Sequence, residues 1–92
     1  MTREKEITSI FMSLAALVVE KNRRYGDSAL EPVKVFARSI GQSDAIRIRL
    51  DDKLARIKNS GELRKNDVAD IMGYLCLLCI SEGWEDFSDL ID

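Results

Sequence analysis

Arg49, Lys53 and Arg56 follow one another at i, i+4 and i+7, so they line one side of any helix that carries them. They flank the apolar positions Ile46, Leu50, Leu54 and Ile57 rather than opposing them. Lys53 in particular takes a place that a simple bundle gives to Leu. Cations on the shoulder of an apolar stripe can reach into a cleft between helices and hold phosphate oxygens through charge-assisted hydrogen bonds. The run also suits self-pairing, because Arg47 with Asp51 and Asp52 with Arg56 are i, i+4 neighbours. Such pairs stabilise an exposed helix by only about 0.2–0.5 kcal/mol each. On sequence alone the run is either a self-paired solvent face or a ligand site.

A second set of polar residues lies further along the chain. Asp67 and Asp70 are i, i+3 and Tyr74 follows Asp70 by four, so all three share a helical face. Two carboxylates one turn apart form a half-site for Mg²⁺, which takes oxygen ligands and a substrate phosphate beside them. Asp67 is explained equally well by the helix macrodipole, since it falls in a first turn; Asp70 and Tyr74 lie deeper and are explained less well. Gly73 costs about 1 kcal/mol relative to Ala inside a helix, which points to close approach by a neighbour or ligand. Cys76 and Cys79 form a C-x-x-C inside the apolar run 74–80. They lack the helix N-terminus that lowers a thiol pKa and the two further ligands that zinc requires, so they read as small core residues of a reducing compartment. Lys21, Arg23 and Arg24 form a basic cluster just before the turn at Tyr25-Gly26-Asp27. The chain has no His, which excludes Ser-His, Cys-His and His-metal chemistry within one copy.

These side chains must be positioned by helices. From Glu4 to about Asn22, Ile7, Ile10, Phe11, Leu14, Leu17 and Val18 form an amphipathic stripe. Met12, Ala15, Ala16 and Val19 widen that stripe until little of the helix is polar. A helix so apolar is either the central helix of a monomer or part of an oligomer surface. Arg23, Arg24, Tyr25 and Gly26 close it. Pro32 suits the first turn of a second helix, with Val33, Phe36, Ala37 and Ile40 on its apolar face and Gly41 as its stop. Ser43 or Asp44 caps a third helix with the stripe Ile46, Leu50, Leu54 and Ile57, ended by Asn59-Ser60-Gly61. A fourth runs from Asn66 or Asp67 to about Ser81, with Val68, Ile71, Met72, Leu75, Leu78 and Cys79 facing the core. A last short turn, Glu85 to Ile91, offers Trp84, Phe87, Leu90 and Ile91 to the same core. The expectation is an all-α, four-helix bundle-like single domain over residues 1–92, with a short C-terminal helical turn.

Composition narrows the function. Ninety-two residues, 46% hydrophobic and 33% charged, make one small globular domain. Fourteen Lys and Arg against sixteen Asp and Glu give a net charge of -2, which rules out a broadly basic nucleic-acid coat. DNA binding by the third helix is disfavoured as well, because Asp51 and Asp52 interrupt its cations. The longest apolar run is too short to span a bilayer and no signal-peptide pattern opens the chain, so a cytoplasmic location without a membrane partner is expected.

Three segments, Lys21 to Asp27, Ile48 to Ile57 and Asn66 to Tyr74, resemble in order and spacing the nucleotide modification associated domain family 1. These are small helical proteins common in bacteriophages, and the resemblance spans about residues 20 to 80. It implies an association with nucleotides and, for a phage-encoded chain, the host cytoplasm. More distantly the chain is similar to the all-α nucleoside triphosphate pyrophosphohydrolases of the MazG and dimeric dUTPase type. Those enzymes hold Mg²⁺ with E-x-x-E on one helix and E-x-x-D on a later one. Asp67-Val68-Ala69-Asp70 is similar to the second half, whereas Arg49-Leu50-Asp51-Asp52 keeps only the last acid of the first. That departure weakens the metal and favours binding an anionic ligand without cleaving it.

The co-occurring motifs lead to a nucleotide-binding protein, with or without Mg²⁺-dependent hydrolysis. Arg24, Arg49, Lys53 and Arg56 would contact phosphates, and Tyr25 or Tyr74 would stack on a base or hydrogen-bond to it. Asp52, Asp67 and Asp70 would fix Mg²⁺ or orient those cations. The alternative is a non-catalytic oligomeric protein that blocks or sequesters a host component through its apolar first helix and its Trp84-Phe87 end.

Overall fold

The computed structural model of the chain describes residues 2–25 and 41–91. The architecture is all-α. Among the described residues it comprises three α-helices, α1 (Arg3–Tyr25), α2 (Gln42–Ser60) and α3 (Lys65–Glu82), followed by a 3-10 turn at Ser88–Leu90. The helix expected at 32–40, with Pro32 at its start, lies outside the described residues, so the structure supports the all-α class and not a count of four.

Each helix is bounded by local chemistry. The hydroxyl of Thr2 accepts the Lys5 N–H at 3.3 Å and so satisfies one orphan donor at the start of α1. Glu4 and Glu6 sit at the positive end of that helix and Arg23 and Arg24 at its negative end. α2 starts after Gly41 with no side-chain cap. Ser43, an expected cap, instead donates to the Glu82 carboxylate at 2.7 Å and accepts from Arg47 Nε at 3.1 Å, tying the start of α2 to the end of α3. Gly61 stops α2 in the left-handed region, φ 68°, with its N–H on the Ile57 carbonyl. Gly83, φ 76°, does the same for α3, and the N–H of Trp84 reaches back to the Cys79 carbonyl at 2.8 Å.

The short connection 61–64 turns α2 and α3 into an antiparallel pair. α1 and α2 both pack on α3, so α3 is the element that touches both neighbours. Ile46 is fully buried, on the same face of α2 as Leu50 and Lys53. The α2–α3 seam corrects the expected stripe on α2. Leu54 is 54% exposed, whereas the Lys53 side chain is only 14% exposed. The inward face therefore runs through Ile46, Leu50, Lys53 and Ile57, and the lysine holds the place that a leucine would take. On α3, Val68 and Leu75 are exposed rather than core, because the helix turns Asp67, Asp70 and Tyr74 toward its neighbours instead. Trp84, Phe87, Leu90 and Ile91 are likewise exposed and do not reach the core. The Gly83 cap leads the chain off α3, and local bonds hold the turn, notably Ser88 N–H to Asp86 Oδ1 at 2.9 Å and Leu90 N–H to the Phe87 carbonyl at 3.0 Å. The bond from the Ser88 N–H also holds the Asp86 carboxyl below its ordinary range.

The close approach expected at Gly73 is the neighbour α1. A Cβ built there would stand 3.5 Å from Val18 Cγ2, an ordinary van der Waals distance. Gly73→Ala is therefore expected to raise stability by about 0.5–1 kcal/mol through helix propensity, measured by urea unfolding. A loss instead would mean that α1 and α3 approach more tightly. No helix among the described residues is long and apolar enough to cross a membrane.

Candidate functional site

Where the three helices meet, four charged side chains form a chain of ion pairs. Lys53, on α2, places Nζ 3.0 Å from Asp70 Oδ2 and 3.5 Å from Asp67 Oδ1, both on α3. The other oxygen of Asp70 accepts from Lys21 Nζ, on α1, at 3.2 Å. Asp67 Oδ2 accepts the backbone N–H of Arg64 at 3.1 Å, closing the first turn of α3. The two carboxylates thus hold α1, α2 and α3 in register.

The environment explains the charge states. The hydrogen bond that Lys53 donates to Asp70 is the main cause holding its ammonium above the ordinary pKa, against a smaller opposing effect of burial. Burial pushes the Asp70 carboxyl up, but the bonds and charges of Lys53 and Lys21 together outweigh it and hold the group below its ordinary range. A depressed carboxylate contributes stability above its unfolded pKa and loses it as pH falls through the folded value; a raised lysine contributes below its unfolded pKa and loses it as pH rises through the folded one. Helicity by circular dichroism at fixed temperature is therefore expected to stay level from about pH 5 to 9. It should fall below about pH 4 and again above about pH 10.4, the ordinary Asp and Lys values. Helicity that falls steadily between pH 8 and 5 would contradict this assignment.

Beside the ion pairs lies a cleft of about 310 Å³. Leu17 and Val18 of α1 and Ala69, Gly73 and Leu77 of α3 supply its apolar wall. Lys21, Tyr25, Arg49, Asp70 and Tyr74 add the polar and aromatic groups. Arg49 is half-buried and, among the described residues, forms no ion pair.

Of the residues singled out from sequence, Tyr25, Arg49, Asp70 and Tyr74 come together in this cleft, and Lys53 and Asp67 stand behind Asp70. Three others do not reach it. Arg24 donates from Nε to Glu20 Oε1 at 3.0 Å on the exposed side of α1, where Arg23 binds the same carboxylate. Arg56 and Asp52 are exposed on α2 and line no part of the cleft. The self-paired alternative for α2 is not realised either. Arg47 pairs with Glu82 at 3.5 Å rather than Asp51, and Asp52 and Arg56 form no ion pair among the described residues. From the basic cluster of α1, Lys21 is the residue that reaches the site. It lies three after Val18 and four before Tyr25, so it continues the face of α1 that meets α3, whereas Arg23 and Arg24 fall off that face.

Magnesium fits this donor set poorly. The Lys53 ammonium already sits between Asp67 and Asp70, within 3.5 Å of both, so a divalent cation there would have to displace it. No group of three or more His, Cys, Asp or Glu among the described residues could hold a metal ion. What the arrangement offers is a guanidinium, an ammonium and two phenol rings over an apolar wall. Comparison with protein-family models, curated proteins and solved structures finds no match to this chain.

Proposed function

We propose that the protein binds a phosphate-bearing nucleotide in the cleft between α1 and α3. The observation that carries this reading is Arg49, which lines the cleft without an ion-pair partner among the described residues. An unpartnered guanidinium is a fork of donors for phosphate oxygens. The cleft volume of about 310 Å³ falls at the small end of ligand pockets, and its mixed lining has the usual form of one. Tyr25 and Tyr74 supply ring faces or hydroxyls for the base. Kinship with the nucleotide modification associated domain family 1, and with it a phage source and a host-cytoplasm location, belongs to the same proposal. The three segments that carry that likeness contribute Lys21, Tyr25, Arg49, Lys53, Asp67, Asp70 and Tyr74.

The reading favours binding without turnover, because the two carboxylates that would hold Mg²⁺ serve Lys53. Thermal shift and calorimetry against nucleoside mono-, di- and triphosphates and cyclic dinucleotides, with Mg²⁺ and with a chelator, test it. Stabilisation that persists in chelator supports sequestration. Release of phosphate or pyrophosphate only with Mg²⁺ would favour hydrolysis, and no stabilisation by any member would remove the proposal.

A second reading has its own support. Ile7, Ile10, Phe11, Met12 and Val19 of α1 are each more than half exposed, on a stretch, residues 7–19, without a single charge. A face of this kind suits a homo-oligomer or a host protein partner. Sedimentation of the unaltered chain and of Phe11→Glu decides for self-association, which the charge should abolish; a monomer at every concentration leaves the host partner.

A further inference from the structure

We infer that Lys21 exchanges partners when the cleft fills, leaving Asp70 for the anionic group of the ligand while Lys53 keeps Asp70 neutralised. This rests on the anion-binding reading of the cleft. Asp70 is a carboxylate inside a proposed anion site, which needs an explanation, and its two oxygens are divided between two lysines of unequal exposure. Lys53 holds Oδ2 at 3.0 Å with a side chain 14% exposed, and it is tied to Asp67 as well. Lys21 holds Oδ1 at 3.2 Å with a side chain 51% exposed.

The inner pair is structural and screened little; the outer pair is open to water and is the weaker of the two. Lys21, Asp70 and Arg49 all line the cleft, whereas Lys53 does not. Asp70 is therefore a resident anion that competes with the ligand for Lys21. When a phosphate group enters beside Arg49, its charge-assisted bonds can replace the exposed carboxylate bond of Lys21, and Asp70 is not stranded, because Lys53 remains. The device sets a threshold: an anion must bind the Lys21 ammonium better than an aspartate already does. A phosphate, with more charge and more acceptor oxygens than a carboxylate, meets that condition.

Calorimetry with inorganic pyrophosphate, without divalent metal and at constant ionic strength, tests the exchange on the full chain. Asp70→Asn is expected to bind about three- to tenfold tighter and Lys21→Gln weaker by a similar factor. In the double variant the tightening should disappear, because the competitor matters only through Lys21. Tightening that persists without Lys21 would mean simple repulsion by Asp70 and would overturn the exchange. Should Asp70→Asn fail to fold, the side-chain carboxyl carbon resonance of Asp70 in the unaltered protein serves instead. It should move on saturation with pyrophosphate, and a resonance that stays put overturns the exchange. If pyrophosphate binds and Arg49→Ala weakens it, yet Asp70→Asn binds no tighter, the cleft stands and the exchange falls. If neither pyrophosphate nor any nucleotide binds the unaltered chain, both fall together.

Discussion

Arg49→Ala is expected to weaken binding of a phosphate-bearing nucleotide by roughly tenfold to a hundredfold while leaving the thermal midpoint nearly unchanged. The size follows from the charge-assisted hydrogen bonds a guanidinium makes to phosphate, about 1.5–3 kcal/mol, with about 1.4 kcal/mol per factor of ten. The unchanged stability follows from the structure. Arg49 forms no ion pair among the described residues, so its removal strands no carboxylate. This separation of affinity from stability distinguishes a binding residue from a structural one. Arg49→Lys should recover only part of the loss, since an ammonium keeps the charge but not the fork. Arg24→Ala and Arg56→Ala supply controls, because neither residue lines the cleft, and both should bind as the unaltered protein does. An Arg49→Ala variant with normal affinity, measured by calorimetry beside those controls, would place the ligand elsewhere or nowhere.

Helical class and ends were legible because they rest on local rules. The apolar period marks α1, α2 and α3, and Gly61 stops α2 where a left-handed residue is required. Gly83 acts in the same way, on the same physics, at the end of α3. The facing of each helix was less legible. On α2, Leu50, Lys53, Leu54 and Ile57 lie close together around the helix, and hydrophobicity alone assigns Leu54 to the core and Lys53 to its shoulder. Which one turns inward depends on carboxylates of another helix, Asp67 and Asp70, which no window along α2 contains. The same tertiary effect displaces Val68 and Leu75, and the Gly83 cap displaces Trp84 and Phe87. In the site, the i, i+3, i+7 spacing puts Asp67, Asp70 and Tyr74 on one face of α3, where Asp70 and Tyr74 line the cleft and Asp67 shares Lys53 with Asp70. Two acids one turn apart look the same in sequence whether their partner is a metal ion or a lysine. Only the position of Lys53 separates the two.

That position leads to the second large effect. Lys53→Met is expected to lower the thermal midpoint by about 5 °C or more, whereas Leu54→Ala lowers it by about 2 °C or less, on the usual scaling for a domain of this size. In an ordinary amphipathic helix the order would be the reverse. Methionine fills nearly the same volume and could pack in the seam, so the loss would come from charge rather than from a cavity. Removing the ammonium leaves Asp67, only 15% exposed, with the Arg64 N–H alone, and leaves Asp70 with the exposed Lys21. Breaking one side of such a network costs more than the intact network contributes, because a desolvated carboxylate is left uncompensated. Adding Asp67→Asn and Asp70→Asn to Lys53→Met should therefore restore most of the lost stability. The amides carry no charge, and the side-chain carbonyl introduced by Asp67→Asn can still accept the Arg64 N–H. High salt should narrow the gap between Lys53→Met and the unaltered chain only slightly, as the pair is largely shielded from solvent. If Leu54→Ala proves the more damaging change, the inward face of α2 has been misassigned. The lysine would then lie outside the seam, with Asp67 and Asp70 open to a metal ion after all.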